Sequence, residues 1–233
     1  MNVDVLMATF NRGQKIGETT LVERAIESFI KNDYKKSRLI ILDDASTDGT
    51  PEILKHYKGH ERILIHSSLN NNRPPNNWNL IWEKSSADLI CQLHDDDELT
   101  ESSISIRAER FLKNKKTDVV YGGVFTQNIK GEFLNFIPAA IPDKERILVD
   151  EYINFTTLMY RSNLPFRFDP DLRYYFDWLF KIRCLKELNV DFVSDAVMKY
   201  TVHQGQESNK CRREKMNDIE ELSMRNKLKQ IYK

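Results

Sequence analysis

Apolar residues recur in short runs along the N-terminal part of the chain, and each run gives way to a polar turn. Val3 to Ala8 reads as a strand that breaks at Thr9-Phe10-Asn11-Arg12-Gly13. Thr20-Leu21-Val22-Glu23 has the pattern of a capping box, after which Leu21, Val22, Ala25, Ile26, Phe29 and Ile30 share one helical face. Arg38 to Leu42 is a second strand, followed by Asp43-Asp44-Ala45-Ser46-Thr47-Asp48-Gly49-Thr50-Pro51. There Thr50 is expected to cap a helix that begins at Pro51 and ends near Tyr57. Ile63 to Ile65 makes a third strand, and a helical pattern from Asn76 to Ser85 carries Trp78 and Trp82, both expected in the core. The fourth run, Leu89 to Leu93, has the length of a buried strand and leads into His94-Asp95-Asp96-Asp97-Glu98.

Strands that alternate with helices predict an α/β domain with a mostly parallel, Rossmann-like sheet flanked by helices. In open sheets of this kind ligands bind beyond the carboxyl ends of the strands. The segments Thr9 to Gly13, Asp43 to Gly49 and His94 to Glu98 all fall at such ends, so they are expected to meet in one crevice.

Beyond residue 99 the pattern is more mixed. Thr100 is expected to cap a helix with Ile104, Ala108, Phe111 and Leu112 facing inward. Val119 to Phe125 reads as a strand whose Gly122-Gly123 pair marks a bulge or a close approach, followed by a hairpin at Lys130-Gly131. A strand from Thr157 to Tyr160, a turn at Asp169-Pro170, a helix from Tyr175 to Leu188 and two short strands, Val190 to Val193 and Val197 to Val202, come next. A charged helical pattern closes the chain. The expected organisation is one domain over 1–233, with a nucleotide-binding half over about 1–99, an acceptor half over about 100–208 and a C-terminal helix over 209–233.

Composition narrows the function classes. At 233 residues the chain is expected to form one large domain or two intimately joined halves with a proper core, and not to be a fragment. Its 35 basic and 35 acidic residues cancel, so no global field draws it to nucleic acid or an anionic membrane, and an anionic ligand must be met locally. Cys91, Cys184 and Cys211 are far apart and odd in number, which predicts reduced thiols and a cytoplasmic location. No run approaches the length of a membrane span, and the start lacks the pattern of a signal peptide.

Four acidic residues in five at a strand end repel one another unless a cation or hydrogen bonds neutralise them, so the cluster reads either as a hard divalent-ion site or as a solvated capping turn. Other motifs fail. Asp44-Ala45-Ser46-Thr47-Asp48-Gly49 begins like a calcium loop, but its twelfth position is Lys55 where a glutamate is needed. A haloacid-type phosphatase would need an aspartate at Ala45, and the chain has no P-loop or dinucleotide fingerprint.

Met7-Ala8-Thr9-Phe10-Asn11-Arg12, Leu42-Asp43-Asp44-Ala45-Ser46-Thr47-Asp48-Gly49-Thr50 and Leu93-His94-Asp95-Asp96-Asp97-Glu98 together resemble the nucleotide-binding segments of family 2 glycosyltransferases with the GT-A fold. The middle segment is close to the family's Val-Asp-Asp-Gly-Ser-Thr-Asp-Gly-Thr, and the resemblance extends from Val3 to Ser208. It implies that Ala8, Thr9, Phe10, Asn11 and Asp44 bind the nucleotide, with Asp44 holding a uracil ring and Phe10 lying against it. Asp95 then lies near the ribose, and Asp96 holds Mn²⁺ or Mg²⁺. Phe176-Asp177-Trp178 matches the family's Glu-Asp pair, with Asp177 as the catalytic base, and His203 matches a histidine that touches the metal or the diphosphate.

The implied activity is a metal-dependent, inverting transfer of a sugar from a nucleotide diphosphate donor, a UDP-sugar, to a hydroxyl of a glycan or lipid-linked acceptor. One base and an in-line displacement imply the inversion. His94 departs from the motif's first aspartate, Phe176 from the family's glutamate, and Trp78 from an arginine that usually precedes the residue matched by Asn79. Arg73 is the candidate for the missing positive charge at the diphosphate. A module that binds sugar nucleotides without chemistry is the alternative, and a metal-dependent phosphatase the weaker third reading.

Overall fold

The computed structural model describes residues 1–72, 74–206, 209 and 217–232. Strand β1 (Val3–Thr9) leads to a small antiparallel ribbon of β2 (Lys15–Ile16) and β3 (Thr19–Thr20), then to helix α1 (Leu21–Ile30). The capping box forms as expected: the Thr20 hydroxyl accepts from Glu23 N at 3.2 Å, and the Glu23 carboxylate accepts from Thr20 N at 2.8 Å. Then come β4 (Ser37–Asp43), α2 (Thr50–His56), β5 (Ile63–Ser67), α3 (Pro74–Glu83) and β6 (Leu89–Gln92). The second half comprises β7 (Glu98–Leu99), α4 (Ser103–Lys113), β8 (Val119–Asn128), β9 (Phe133–Ile137), β10 (Met159–Arg161), α5 (Phe176–Glu187), β11 (Val190–Val202) and α6 (Asn217–Ile231).

The nine-stranded sheet has the order β5-β4-β1-β6-β10-β8-β11-β7, with β9 paired to β8. Strands β5, β4, β1 and β6 are all parallel, while β10 runs antiparallel to both β6 and β8. The sheet is therefore parallel in the first half and mixed in the second. Alternation along β1 separates two cores: Leu6 faces an aromatic-rich cluster with Trp78, Trp82 and Phe180, and Val3, Val5 and Met7 face the α1 and α4 side with Phe29 and Phe111. Trp78 and Trp82 are both core residues, as expected, and Trp82 donates its indole N–H to Ser162 O. Gly122 serves a close approach, because a Cβ there would lie 2.6 Å from the Val197 side chain on the neighbouring strand.

Several boundaries differ from expectation for local reasons. Thr50 does not cap α2; Gly49 occupies that position, and the Thr50 hydroxyl donates to Asp48 Oδ1 while accepting from Arg12 N. Helix α3 starts at the Pro74-Pro75 pair rather than at Asn76, since proline fits a first turn that needs no amide donor. Thr100 does not cap α4, because its hydroxyl reaches Ala196 O on β11 at 2.9 Å, and the helix begins after Ser102. Leu112 is 49% exposed and does not face inward, whereas Ile104, Ala108 and Phe111 do. The run at Thr157 begins in a 3-10 turn, so β10 starts only at Met159. The two short strands expected over Val190 to Val202 are one strand, β11, kept continuous across an irregularity between Phe192 and Met198. On α6, Met224 and Leu228 are buried but Ile219 and Leu222 are exposed.

Among the described residues, no helix is long and apolar enough to cross a membrane. Cys91 and Cys184 are buried free thiols; Cys211 lies outside the described residues.

Candidate active site

The loops after β1 and β4 are locked together before any ligand is considered. Asn11 N donates to Ser46 Oγ at 2.9 Å, Thr47 N to Asn11 Oδ1 at 2.9 Å, Arg12 N to Thr50 Oγ1 at 2.7 Å and Gly13 N to Asp48 Oδ2 at 2.7 Å. The polar residues of the Ser46-Thr47-Asp48-Gly49-Thr50 run thus serve the partner loop. Asn11 is part of this clamp, and its φ of 52° places it in the left-handed region that asparagine tolerates. Ala45 shares that region with φ 61°, at the position where the family pattern has glycine.

Of the predicted nucleotide residues, Ala8 and Asp95 line the cavity, while Thr9, Phe10, Asn11 and Asp44 lie in the clamped loops outside its lining. Thr9 is buried, and Phe10 is 44% exposed. Asp44 is buried and held by Asn72 N at 2.8 Å and Asn77 Nδ2 at 2.7 Å, so its orientation is fixed. Arg73 lies outside the described residues. Asn79 pairs with both backbone groups of Phe168.

The acidic cluster divides into two parts. Asp95 and Asp96 line the cavity. Asp97 accepts from Thr201 N at 2.9 Å, and Glu98 pairs with Arg24 and accepts from Gln127 Nε2, so these two hold the cluster to β11 and α1. Arg12 bridges the cavity pair, with Nε 3.0 Å from Asp95 Oδ1 and Nη2 3.1 Å from Asp96 Oδ2. His203 Nε2 lies 3.0 Å from Asp96 Oδ2, which brings together the two predicted metal ligands.

Electrostatics separates the carboxylates further. Burial pushes Asp97 well up, reinforced by the charge of Asp96. Asp95 is also raised by burial, although Arg12 opposes the shift. For Asp96 burial acts upward, but the His203 hydrogen bond and the Arg12 charge outweigh it and leave the group below its ordinary value. His94 is pushed down by burial and packs against Trp78 and Phe155 at ring distances of 5.6 and 5.8 Å. His94, Asp96 and Asp97 place donor atoms within 4.8 Å of one another. These three residues, with His203 in contact with Asp96, give an oxygen-and-nitrogen donor set that fits a divalent ion.

The cavity, about 910 Å³ in volume, extends from Arg12, Asp95 and Asp96 to Glu151, Asp177 and Lys181. Asp177 sits in the first turn of α5, with Oδ1 accepting from Trp178 N at 2.8 Å and Oδ2 3.2 Å from Lys181 Nζ. Lys181 is buried and pairs with Glu151 as well. Glu151 is raised to about 7, chiefly by desolvation of its carboxyl at the cavity wall and, after the opposing pull of Lys181, by the charge of Asp177, while 40% of its side chain stays accessible. Phe176, standing where the family has glutamate, is buried against Phe155 and Phe168.

Glu220 of α6 accepts from the amides of Arg173, Tyr174 and Tyr175, the residues that lead into α5. Sequence reasoning missed Arg12, Glu151, Lys181 and Glu220. For Lys181 the spacing of four from Asp177 on one helix was a usable signal. Glu151 and Glu220 reach the site from distant segments and carry none.

The sequence model described as "Glycosyl transferase family 2" matches residues 4–167. The putative glycosyltransferase EpsE of Bacillus subtilis is 37% identical over 97 residues, which cover 41% of this chain and 33% of that protein. The GalNAc(5)-diNAcBac-PP-undecaprenol beta-1,3-glucosyltransferase of Campylobacter jejuni is 32% identical over 105 residues, covering 44% of this chain and 32% of that protein. The chain thus matches about a third of the length of these curated relatives. Among solved structures, S. aureus TarS 1-349 superposes with a TM-score of 0.66 at 18% identity, over 86% of this chain and 60% of TarS 1-349. The same TarS fragment in complex with UDP-GlcNAc gives 0.66 at 19% identity, over 88% and 60%. At that identity the likeness establishes the fold, GT-A.

Proposed function

Because the chain belongs to glycosyl transferase family 2, we propose that it moves a sugar from a nucleotide diphosphate donor, a UDP-sugar, to a hydroxyl of a glycan or lipid-linked acceptor, with inversion at the anomeric carbon. The observation that carries this reading is the single cavity reaching from Asp95 and Asp96 to Asp177. Support for the donor comes from TarS, which has been solved with UDP and with UDP-GlcNAc. Support for a lipid-linked acceptor comes from the Campylobacter relative, whose name specifies an undecaprenol diphosphate glycan.

In this reading Asp44, fixed by Asn72 and Asn77, accepts from the uracil ring, Phe10 covers that ring, and Asp95 binds the ribose. Ala8, Thr9 and Asn11 shape the nucleotide pocket. Asp96 and His203 hold Mn²⁺ or Mg²⁺, which when bound stabilises negative charge on the leaving diphosphate. Asp177 accepts the proton of the attacking hydroxyl. The acceptor oxygen bonds to the anomeric carbon, the bond from that carbon to the phosphate oxygen breaks, and its electron pair leaves with UDP. Lys181 fixes the Asp177 carboxylate for this role. A cytoplasmic site of action is part of the proposal, supported by the free thiols of Cys91 and Cys184.

The test is a thermal-shift panel of nucleotides and nucleotide sugars with and without Mn²⁺, followed by transfer assays on the Asp177→Asn variant. UDP and one UDP-sugar are expected to raise the melting temperature only with Mn²⁺. Asp177→Asn is expected to abolish transfer while keeping UDP affinity. If the wild type binds UDP and no acceptor ever yields product, the alternative of a binding module without chemistry replaces the proposal. Stabilisation by UDP that ignores chelator removes the metal from it.

A further inference from the structure

The acidic end of the cavity already holds a cation of its own. The Arg12 guanidinium spans the two carboxylates that face the cavity, 3.0 Å from Asp95 and 3.1 Å from Asp96. The Asp96 oxygen it touches is the same Oδ2 that contacts His203. A divalent ion that takes Asp96 therefore approaches an oxygen already shared with a fixed positive charge, and two cations on one carboxylate oxygen repel.

The backbone beneath the side chain is rigid, because Arg12 N and Gly13 N are both tied to the β4 loop. The side chain is not sealed in: it keeps 23% of its accessible surface and lines the cavity. It has the rotatable bonds to leave the carboxylates without moving the loop. Once it leaves, the matching anion in the same cavity is the diphosphate that arrives with the ion, and a guanidinium fork pairs with phosphate oxygens as it does with carboxylates. The arginine that the family pattern supplies from α3 is replaced here by Trp78, buried in the core at 4% exposure, so that position delivers no charge to the crevice.

We propose that Arg12 is an exchangeable counter-ion, which neutralises Asp95 and Asp96 in the ligand-free enzyme and transfers to the donor diphosphate when a divalent ion takes its place on Asp96. The transfer to diphosphate rests on the reading of the cavity as a nucleotide diphosphate site. Displacement by the ion does not. Arg12 thereby links two ligands with opposite signs: it opposes the ion alone and favours the ion together with diphosphate.

The experiment measures Mn²⁺ alone, UDP with saturating Mn²⁺, and uridine, each against the wild-type chain and the Arg12→Gln and Arg12→Lys variants, by calorimetry and, for uridine, saturation-transfer NMR. Removing the charge is expected to tighten Mn²⁺ alone about fivefold and to weaken UDP with Mn²⁺ about tenfold, with uridine affected less than UDP because Arg12 touches it only through Asp95. Arg12→Lys, which keeps the charge but loses the fork, is expected to weaken UDP by about threefold and leave Mn²⁺ near wild type. Mn²⁺ affinity that is unchanged or lower in Arg12→Gln overturns the counter-ion role. UDP affinity that is unchanged in both variants overturns the transfer to diphosphate. If Arg12→Gln loses uridine binding along with UDP, either Asp95 has lost its partner or the fold is disturbed, and the selective UDP loss in Arg12→Lys decides. A wild type that binds Mn²⁺ but no nucleoside diphosphate overturns the donor-site reading itself, and the Mn²⁺ comparison still decides whether Arg12 competes with the ion.

Discussion

The ammonium of Lys181 lies 3.2 Å from the carboxylate of Asp177, one turn earlier on α5, and it is buried while that carboxylate opens to the cavity. Glu151 pairs with the same ammonium from the other side. One cation therefore serves two acids at the acceptor end, and its loss leaves both uncompensated. Lys181→Met is expected to destabilise the fold by about 2–3 kcal/mol, less than a fully sealed pair because Glu151 and Asp177 retain some solvent. Urea unfolding measures this. The double variant Lys181→Met/Glu151→Gln is expected to recover about half of the loss, since one of the two carboxyls left without the ammonium is gone. An additive pair of effects means that Glu151 and Lys181 do not interact.

Glu151 also gives the stability a pH dependence whose sign follows from its shift. The group is raised to about 7, so the folded chain keeps its proton where the unfolded chain, titrating near 4.5, has released it. The folded state then binds more protons across that window, and stability falls as pH rises from about 4.5 to about 7. Asp95 and Asp97 are raised by burial too, so Glu151→Gln is expected to make the decline shallower without abolishing it. Unfolding free energies taken at intervals from pH 4.5 to pH 8 compare the two chains. Parallel curves count against a raised Glu151.

Glu220 ties the C-terminal helix to the loop that starts α5, and its carboxyl group lies at the N-terminal end of α5, where the helix dipole favours negative charge. Glu220→Ala removes the carboxylate that the amides of Arg173, Tyr174 and Tyr175 donate to and is expected to cost about 2–4 kcal/mol. Glu220→Gln, which keeps one carbonyl oxygen, is expected to cost about half as much. In both, turnover is expected to fall while UDP affinity with Mn²⁺ stays within twofold, because the loop positions Asp177 and not the nucleotide residues. Equal losses in turnover and UDP affinity point instead to general loosening of the fold.

The parts of the site visible in the sequence were those built from local pattern. A parallel sheet places the segments after β1, β4 and β6 at one edge, and the polar residues there met as their positions required. Roles that depend on long-range pairing were not visible. Arg12 looks like any polar loop residue until the fold brings Asp95 and Asp96 to it across 83 and 84 positions. Glu151 sits in an irregular stretch with no period, and Glu220 is one of many charged residues in the closing helical pattern. The misplaced caps at Thr50 and Thr100 have the same origin: each hydroxyl had a better partner in a distant loop or strand than in its own helix.

Ala45 supplies a prediction of the opposite sign. It holds φ 61° beside the fixed carboxylate of Asp44, a conformation that costs an L-residue with a Cβ about 1–2 kcal/mol. Glycine takes that conformation freely but loses about 0.5–1 kcal/mol more in backbone entropy on folding than alanine. The difference favours the variant, so Ala45→Gly is expected to stabilise the chain by about 0.5–1 kcal/mol, a rise of about 1–4 °C in melting temperature for a domain of this size. The neighbouring hydrogen bonds, Ser46 N to Asp43 and Thr47 N to Asn11, do not involve the Ala45 methyl, so the loop is expected to keep its shape and UDP affinity to stay within twofold. A fall in melting temperature means that the half-buried methyl contributes more in packing than the backbone strain costs. A rise accompanied by weaker UDP binding means that the strain at Ala45 keeps Asp44 rigid for the nucleotide.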